Sequence, residues 1–92
     1  MRLRYKLSMM DMGGEIAAVP VGEDAGQFRG MLKVNDIAAD ILKQLEEETT
    51  PEAIHAYLMQ KYPDYTADEI GEELAAFLTQ LLHEGLLIDQ PV

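Results

Sequence analysis

The fold is decided at Val34-Asn35-Asp36-Ile37-Ala38-Ala39-Asp40-Ile41-Leu42, where the spacing of the apolar residues changes. Upstream, apolar and polar residues alternate, which is the two-residue period of half-buried strands. The apolar residues of the stretch itself follow the three- and four-residue spacing of an amphipathic helix: Ile37, Ala38, Ile41 and Leu42. Asn35 stands where its side chain can cap that helix. The sequence therefore predicts strands over residues 1–34 and helices over residues 35–87.

Three strands are predicted before this point. The first carries the clearest alternation, and its apolar face holds Leu3, Tyr5, Leu7 and Met9. A turn at residues 11–14 leads to a second strand over 15–21, and a turn at 22–26 leads to a third over 27–34. Strands joined in sequence by short turns form an antiparallel meander, so the first and third strands are expected at its edges.

Three helices are predicted after it, each with a recognisable start. Asn35 opens the first, and Thr50 followed by Pro51 opens the second. Thr66 and Glu69 form a capping box at the start of the third. The second helix is expected to bury four residues: Ala53, Ile54, Tyr57 and Leu58.

The third helix carries two neighbouring apolar stripes. One holds Ile70, Leu74, Phe77 and Leu81, and the other holds Gly71, Ala75, Leu78 and Leu82. The second stripe either packs on the sheet or forms the floor of a peptide groove. Gly85 stands where a left-handed residue ends a helix, with Leu86 able to fold back on Leu81.

Length and composition restrict the class of protein. The 92 residues suffice for one domain, predicted to span 1–92, and the absence of cysteine excludes disulfides and thiolate metal sites. The net charge is −10, and residues 34–92 hold thirteen acidic residues against two basic ones. Such a chain is repelled by phosphate backbones, so nucleic acid is not an expected partner. No membrane span or signal peptide is indicated, and a cytoplasmic location is expected.

Catalytic chemistry has little support in the sequence. Ser8 is the only serine and has no nucleophile motif around it. Glu52 and His55 have a ligand spacing, but no second pair completes a metal site, and both histidines are expected to face solvent. We therefore predict a protein that is not an enzyme and has no metal or cofactor.

Two functions remain open from the residues alone. An edge strand of the meander offers unpaired backbone groups to an added peptide strand, or to the same strand of a second copy, so a monomer and an edge-strand homodimer are both possible. The other possibility is a winged-helix module that regulates transcription or binds proteins. The third helix is unsuited to reading DNA, because acidic residues stand at its start: Asp68, Glu69, Glu72 and Glu73.

The sequence resembles the PqqD family, named for pyrroloquinoline quinone (PQQ) biosynthesis protein D. The resemblance rests on residues 34–42, Thr50-Pro51-Glu52-Ala53-Ile54, and the apolar spacing from Glu73 to Leu87. It implies an α+β fold similar to a winged helix-turn-helix, with three antiparallel strands followed by three helices. It also implies a non-catalytic chaperone that captures the leader segment of a ribosomally made, post-translationally modified peptide. The modifying enzyme would often be a radical S-adenosylmethionine (SAM) protein.

The resemblance also implies where the peptide binds. In the family the leader adds as a strand to the third strand and lies in a cleft against the third helix. The implied backbone partners in this chain are Arg29, Gly30, Met31, Leu32 and Lys33. The implied cleft wall is Gly71, Ala75, Leu78 and Leu82.

Overall fold

The computed structural model describes residues 1–13, 15–21 and 32–88. The elements in chain order are strands β1 (Arg2–Leu3), β2 (Lys6–Asp11), β3 (Ile16–Val21) and β4 (Leu32–Val34), helices α1 (Asp36–Gln44), α2 (Pro51–Lys61) and α3 (Ala67–His83), and strand β5 (Leu87–Ile88). The change from strand to helix therefore falls at Asn35, as predicted.

Strands β2, β3 and β4 form an antiparallel sheet in that order. Ala18 pairs with Met9 on one side and with Leu32 on the other, and these three side chains face the helices. Lys33 pairs with Ala17 on the opposite face. The predicted antiparallel order is confirmed for the described strands, with β2 and β4 at the edges. The predicted turn at 22–26 and residues 27–31 of the predicted third strand lie outside the described residues.

The first predicted strand is divided in two, and this part of the prediction is wrong. The chain bends at Arg4 and Tyr5, and β1 leaves the meander to pair antiparallel with β5. The Leu3 amide donates to the Leu45 carbonyl at 2.9 Å, and the Arg4 amide donates to the Leu86 carbonyl at 2.8 Å. Burial continues to alternate through the bend, so the sequence pattern gave no sign of it. The prediction of helices over residues 35–87 also missed the short strand β5 at Leu87–Ile88.

All three helices begin at the predicted caps. The Asn35 side chain accepts from the Ala38 amide at 2.8 Å, and the Thr50 hydroxyl accepts from the Ala53 amide at 3.2 Å. Thr66 and Glu69 bond each other's backbone amides in a capping box. These bonds satisfy amides that the first turn of a helix leaves without partners.

The end of α3 is a Schellman motif, as predicted. Gly85 has a φ of 75°, its amide donates to the Leu82 carbonyl at 3.1 Å, and the Leu86 amide donates to the Leu81 carbonyl at 2.9 Å. Leu81 and Leu86 are both fully buried. The motif therefore directs the chain from α3 straight into β5.

The core lies between the three helices and the inner face of the sheet. Its largest fully buried side chains are Ile41, Leu42, Leu45, Ile54, Leu58, Ile70, Leu81 and Leu86. The predicted burial of Ala53 and Tyr57 is wrong, because α2 contacts the core along a narrow line through Ile54 and Leu58. Ala53 is exposed, and Tyr57 is 37% exposed.

His55 joins α2 to α3 and is half-buried, so of the two histidines predicted to face solvent only His83 is exposed. The His55 Nε2 lies 3.0 Å from the Ala67 carbonyl oxygen. Gly71 lies next to the ring, and a Cβ atom added there would stand 3.9 Å from Nε2. That separation is an ordinary van der Waals contact.

The substitution Gly71→Ala is expected to stabilise the protein by about 0.5–1 kcal/mol, because alanine loses less backbone entropy in a helix and the site accepts a methyl group. Urea unfolding followed by circular dichroism measures the change. Gly85→Ala is the control, since its φ of 75° is unfavourable for a residue with a Cβ, and a loss of about 1 kcal/mol is expected. A loss of stability for Gly71→Ala would contradict the packing of His55.

Candidate functional site

A groove lies between the edge strand β4 and helix α3. It has a volume of about 230 Å³ and is lined by Lys33, Val34, Asn35, Ala38, Ile41, Glu73, Ala76, Phe77 and Gln80. The lining residues come from β4 and its junction with α1, from α1, and from α3. Helix α1 therefore forms the floor, and β4 and α3 form the two walls.

The floor of the groove is apolar and its α3 rim is mixed. Ala38 and Ile41 of the floor are buried, as is Val34 of the β4 wall, and Phe77 is half-buried beside them. On the rim, Glu73 and Gln80 are exposed. Such a surface can take an apolar side chain at its base and polar groups at its edge.

The backbone of β4 is open towards the groove. In the part of the chain that the structure describes, β4 pairs with β3 alone. Alternate residues of an edge strand direct their N–H and C=O groups away from the sheet, which allows another strand to add there. The Lys33 ammonium lies 3.9 Å from the Glu15 carboxylate, and both side chains are well exposed, so this ion pair contributes little.

The structure brings part of the predicted peptide site to this groove. Leu32 and Lys33 lie in β4, where Lys33 lines the groove and Leu32 faces the core. The other three predicted backbone partners, Arg29, Gly30 and Met31, lie outside the described residues.

The four α3 residues predicted for the cleft wall lie elsewhere. Leu78 is buried in the core, and Gly71 lies next to His55 of α2. Ala75 is exposed, and Leu82 is 46% exposed. None of these four lines the groove beside β4. The residues of α3 that do are Glu73, Ala76, Phe77 and Gln80.

These groove residues form one flank of α3, and the predicted wall forms the other. Both flanks adjoin the same buried stripe, which runs through Ile70, Leu74 and Leu81. The sequence locates the stripe but not the side on which β4 lies. The sequence places Phe77 in the buried stripe, and only the structure shows it half-buried at the edge of that stripe beside the groove.

A buried carboxylate supports the floor of the groove from behind. Asp40 of α1 is 4% exposed, and its Oδ1 accepts from the Lys61 ammonium at 2.8 Å. Its Oδ2 accepts from the Tyr62 hydroxyl. Lys61 ends α2 and Tyr62 caps it, so the cluster fixes α1 to the end of α2. No local spacing of these three residues indicates the cluster, because they come together only when α1 packs against the end of α2.

The pKa values in the cluster follow from these contacts. Burial by itself raises the pKa of Asp40, but the hydrogen bonds from Lys61 and Tyr62 and the nearby positive charges outweigh it, so the pKa lies below 3.8. The bond to Asp40 raises the pKa of Lys61. Burial and the bond to Asp40 also raise the pKa of Tyr62. At neutral pH the cluster therefore consists of a carboxylate, an ammonium and a neutral phenol.

The described ranges 1–13, 15–21 and 32–88 contain neither a metal-ligand cluster nor a helix that could cross a membrane. Within them no three histidine, aspartate or glutamate side chains cluster as metal ligands would. The helices within the same ranges are too short or too polar to cross a bilayer.

The sequence of this chain matches the model of one known family. The model of the family described as coenzyme PQQ synthesis protein D (PqqD) matches residues 9–87. The chain belongs to the PqqD family. The PqqD match begins within β2 and ends within β5, so it includes every element that lines the groove. Strand β1 lies before it.

A solved structure is similar to this PqqD-family chain over its whole length. It is TbiB1 in complex with the TbiA(beta) leader peptide, with a TM-score of 0.70, 17% sequence identity and 100% of each chain covered. At this identity the likeness establishes the shared fold, and the predicted α+β architecture is confirmed. No curated protein matches the sequence.

Proposed function

We propose that this PqqD-family chain binds the leader segment of a ribosomally made precursor peptide and presents it to a modifying enzyme. The observation that carries the proposal is the open edge of β4 beside an apolar floor and the wall of α3. Membership of the PqqD family supports it. So does the similarity in fold to TbiB1, which was solved with a leader peptide.

The binding mechanism is strand addition. The guest's main chain bonds the free edge of β4, and every second guest side chain points towards the floor of the groove. We propose residues 29–33 as the backbone partners and the flank with Glu73 and Phe77 as the facing wall. A disordered leader loses entropy when it docks, so a preformed groove is needed for micromolar binding.

The chain itself performs no chemistry in this proposal. It acts as a cytoplasmic binding protein without cofactor, and the modifying enzyme, a radical SAM protein, acts on the presented peptide. Without bound peptide, the edge of β4 is either free in a monomer or paired with β4 of a second copy in a homodimer. The winged-helix alternative is opposed by the exposed carboxylates at the start of α3: Asp68, Glu69, Glu72 and Glu73.

A nitrogen–proton NMR titration tests the proposal. The ¹⁵N-labelled protein is titrated with leader peptides encoded by short reading frames beside its gene. We expect shifts in residues 27–34 and in the groove flank of α3 over 73–80, saturating at micromolar peptide. A folded protein that shows no shift with any of these leaders would contradict leader binding.

The substitution Ala76→Trp is expected to weaken leader binding at least tenfold, because Ala76 is exposed and lines the groove, and an indole there occupies the space of the guest. Isothermal titration calorimetry measures the dissociation constant. Ala75→Trp is the matched control, since Ala75 is also exposed but lies on the other flank of the same helix. We expect it to bind as the wild type does. If both variants lose affinity equally, or if only Ala75→Trp loses affinity, the leader does not bind in the groove beside β4.

A further inference from the structure

Three residues on the groove flank of α3 lie in a row along the helix, where an added strand would face them. Glu73, Phe77 and Gln80 lie four and three residues apart, which is about 6 Å and about 4.5 Å along a helix axis. Side chains on one face of a strand repeat every two residues, at about 6.6 Å. The step from Glu73 to Phe77 is therefore close to one two-residue step of a guest strand. Gln80 stands about 2 Å short of the next step, and its long side chain can meet the following inward-facing guest residue.

The Glu73 end of the groove is negatively charged. Glu73 and Ala76 also line an adjoining hollow on α3, together with Tyr65, Glu69 and Glu72. Among the ion pairs formed by residues 1–13, 15–21 and 32–88, none includes Glu73. A guest side chain at this end thus meets a carboxylate that has two further carboxylates behind it.

The other two positions differ in chemistry. Phe77 stands beside the floor formed by Ala38 and Ile41, which are both buried. A large apolar guest side chain placed there buries its surface away from water. Gln80 is exposed at the far end and offers an amide that donates and accepts hydrogen bonds. The wall therefore presents an anion, an apolar surface and an amide in sequence.

We propose that the guest carries the complementary series: a lysine or arginine facing Glu73, a large apolar residue two positions away facing Phe77, and a hydroxyl or amide residue two further positions away facing Gln80. Glu73 is the residue that sets this charge specificity. The inference rests on the proposed function, because it assumes that the guest adds to β4. It names the chemical class of peptide that the groove accepts.

Selection from a random twelve-residue peptide display library tests the series without knowledge of the natural leader. We expect recovered peptides to share a basic residue two positions from a large apolar one, in either chain direction. Binders that lack this pair would overturn the inference and leave strand addition standing. If every recovered peptide binds Ala76→Trp as tightly as it binds the wild type, or if no peptide is recovered, then both the inference and the proposed function fail.

A charge exchange then tests Glu73 itself. Two fluorescein-labelled copies of the best selected peptide, one with lysine and one with glutamate at the basic position, are compared by anisotropy at low salt. We expect the wild type to prefer the lysine peptide about tenfold and Glu73→Lys to reverse the order. Glu47→Lys makes the same change in net charge at an exposed loop residue that does not line the groove, and should keep the preference. Loss of preference in Glu47→Lys as well would show that overall charge alone selects the guest, and would overturn the role of Glu73.

Discussion

Replacing Leu81 with alanine is expected to lower the free energy of unfolding by about 2–5 kcal/mol. The Leu81 side chain is fully buried on α3, and its carbonyl accepts the Leu86 amide in the Schellman motif that leads into β5. Alanine loses the transfer free energy of the missing atoms and leaves a cavity where α3, β5 and the core meet. A chain of this size has a total stability of roughly 5–14 kcal/mol, so the loss is a large part of it.

Leu82→Ala is the control for this prediction. Leu82 is the next residue of the same helix but is 46% exposed, so the same change in side chain is expected to cost less than about 1 kcal/mol. Thermal unfolding followed by circular dichroism compares the variants. In a domain of this size, each kcal/mol of lost stability lowers the melting temperature by about 4–8 °C. Similar melting temperatures for Leu81→Ala and Leu82→Ala would contradict the orientation of α3.

The substitution Tyr62→Phe is expected to cost about 1.5–3 kcal/mol at neutral pH, because it removes a hydroxyl that donates to a buried carboxylate. Asp40 then keeps the bond from Lys61 but is less well compensated for its burial, so its pKa rises. Tyr65→Phe is the control. Tyr65 lies three residues further on and is 42% exposed, so loss of its hydroxyl should change stability by less than about 0.5 kcal/mol.

The cost of Tyr62→Phe should depend on pH with a definite sign. In the wild type the folded-state pKa of Asp40 lies below its ordinary value of 3.8, so the unfolded state binds more protons near that pH. The stability that Asp40 supplies is thus fully present above that value and is lost as the pH falls through the folded-state pKa. The gap between wild type and Tyr62→Phe should therefore be constant at pH 5–8 and narrow below about pH 4.

Urea unfolding at a series of pH values measures this gap. The other sixteen acidic residues contribute equally to both proteins and cancel in the difference. A gap that stays constant down to pH 3 would contradict the charged hydrogen bond between Tyr62 and Asp40. The result also bears on the groove, because Asp40 lies on the same helix as the floor residues Ala38 and Ile41.

The helices could be predicted closely because their ends depend on local chemistry. Asn35, Thr50 and the Thr66–Glu69 pair cap their own backbone within three residues, and Gly85 needs only a positive φ to end α3. These local bonds do not depend on how the rest of the chain packs. The alternation of Leu3 to Met9 likewise predicted which side chains are buried, although it did not predict where the strand bends.

The candidate site was predicted less completely, since it depends on contacts between distant residues. The open edge strand followed from the order of the strands, and Lys33 does line the groove. The facing wall did not follow, because both flanks of α3 adjoin the same buried stripe. Which flank meets β4 is set by how α3 crosses the sheet.

The sequence by itself determined the change from strands to helices at Asn35, the three helix starts, the end of α3 and the buried stripes of α1 and α3. Only the tertiary structure decided the pairing of β1 with β5, the placement of Glu73 and Phe77 along the groove, and the burial of Asp40 against Lys61 and Tyr62. The physical reason is the range of the interactions. Caps and periodicity act within a few residues, whereas strand pairing, groove walls and buried ion pairs join residues far apart in the chain, whose distances are fixed when the whole core packs.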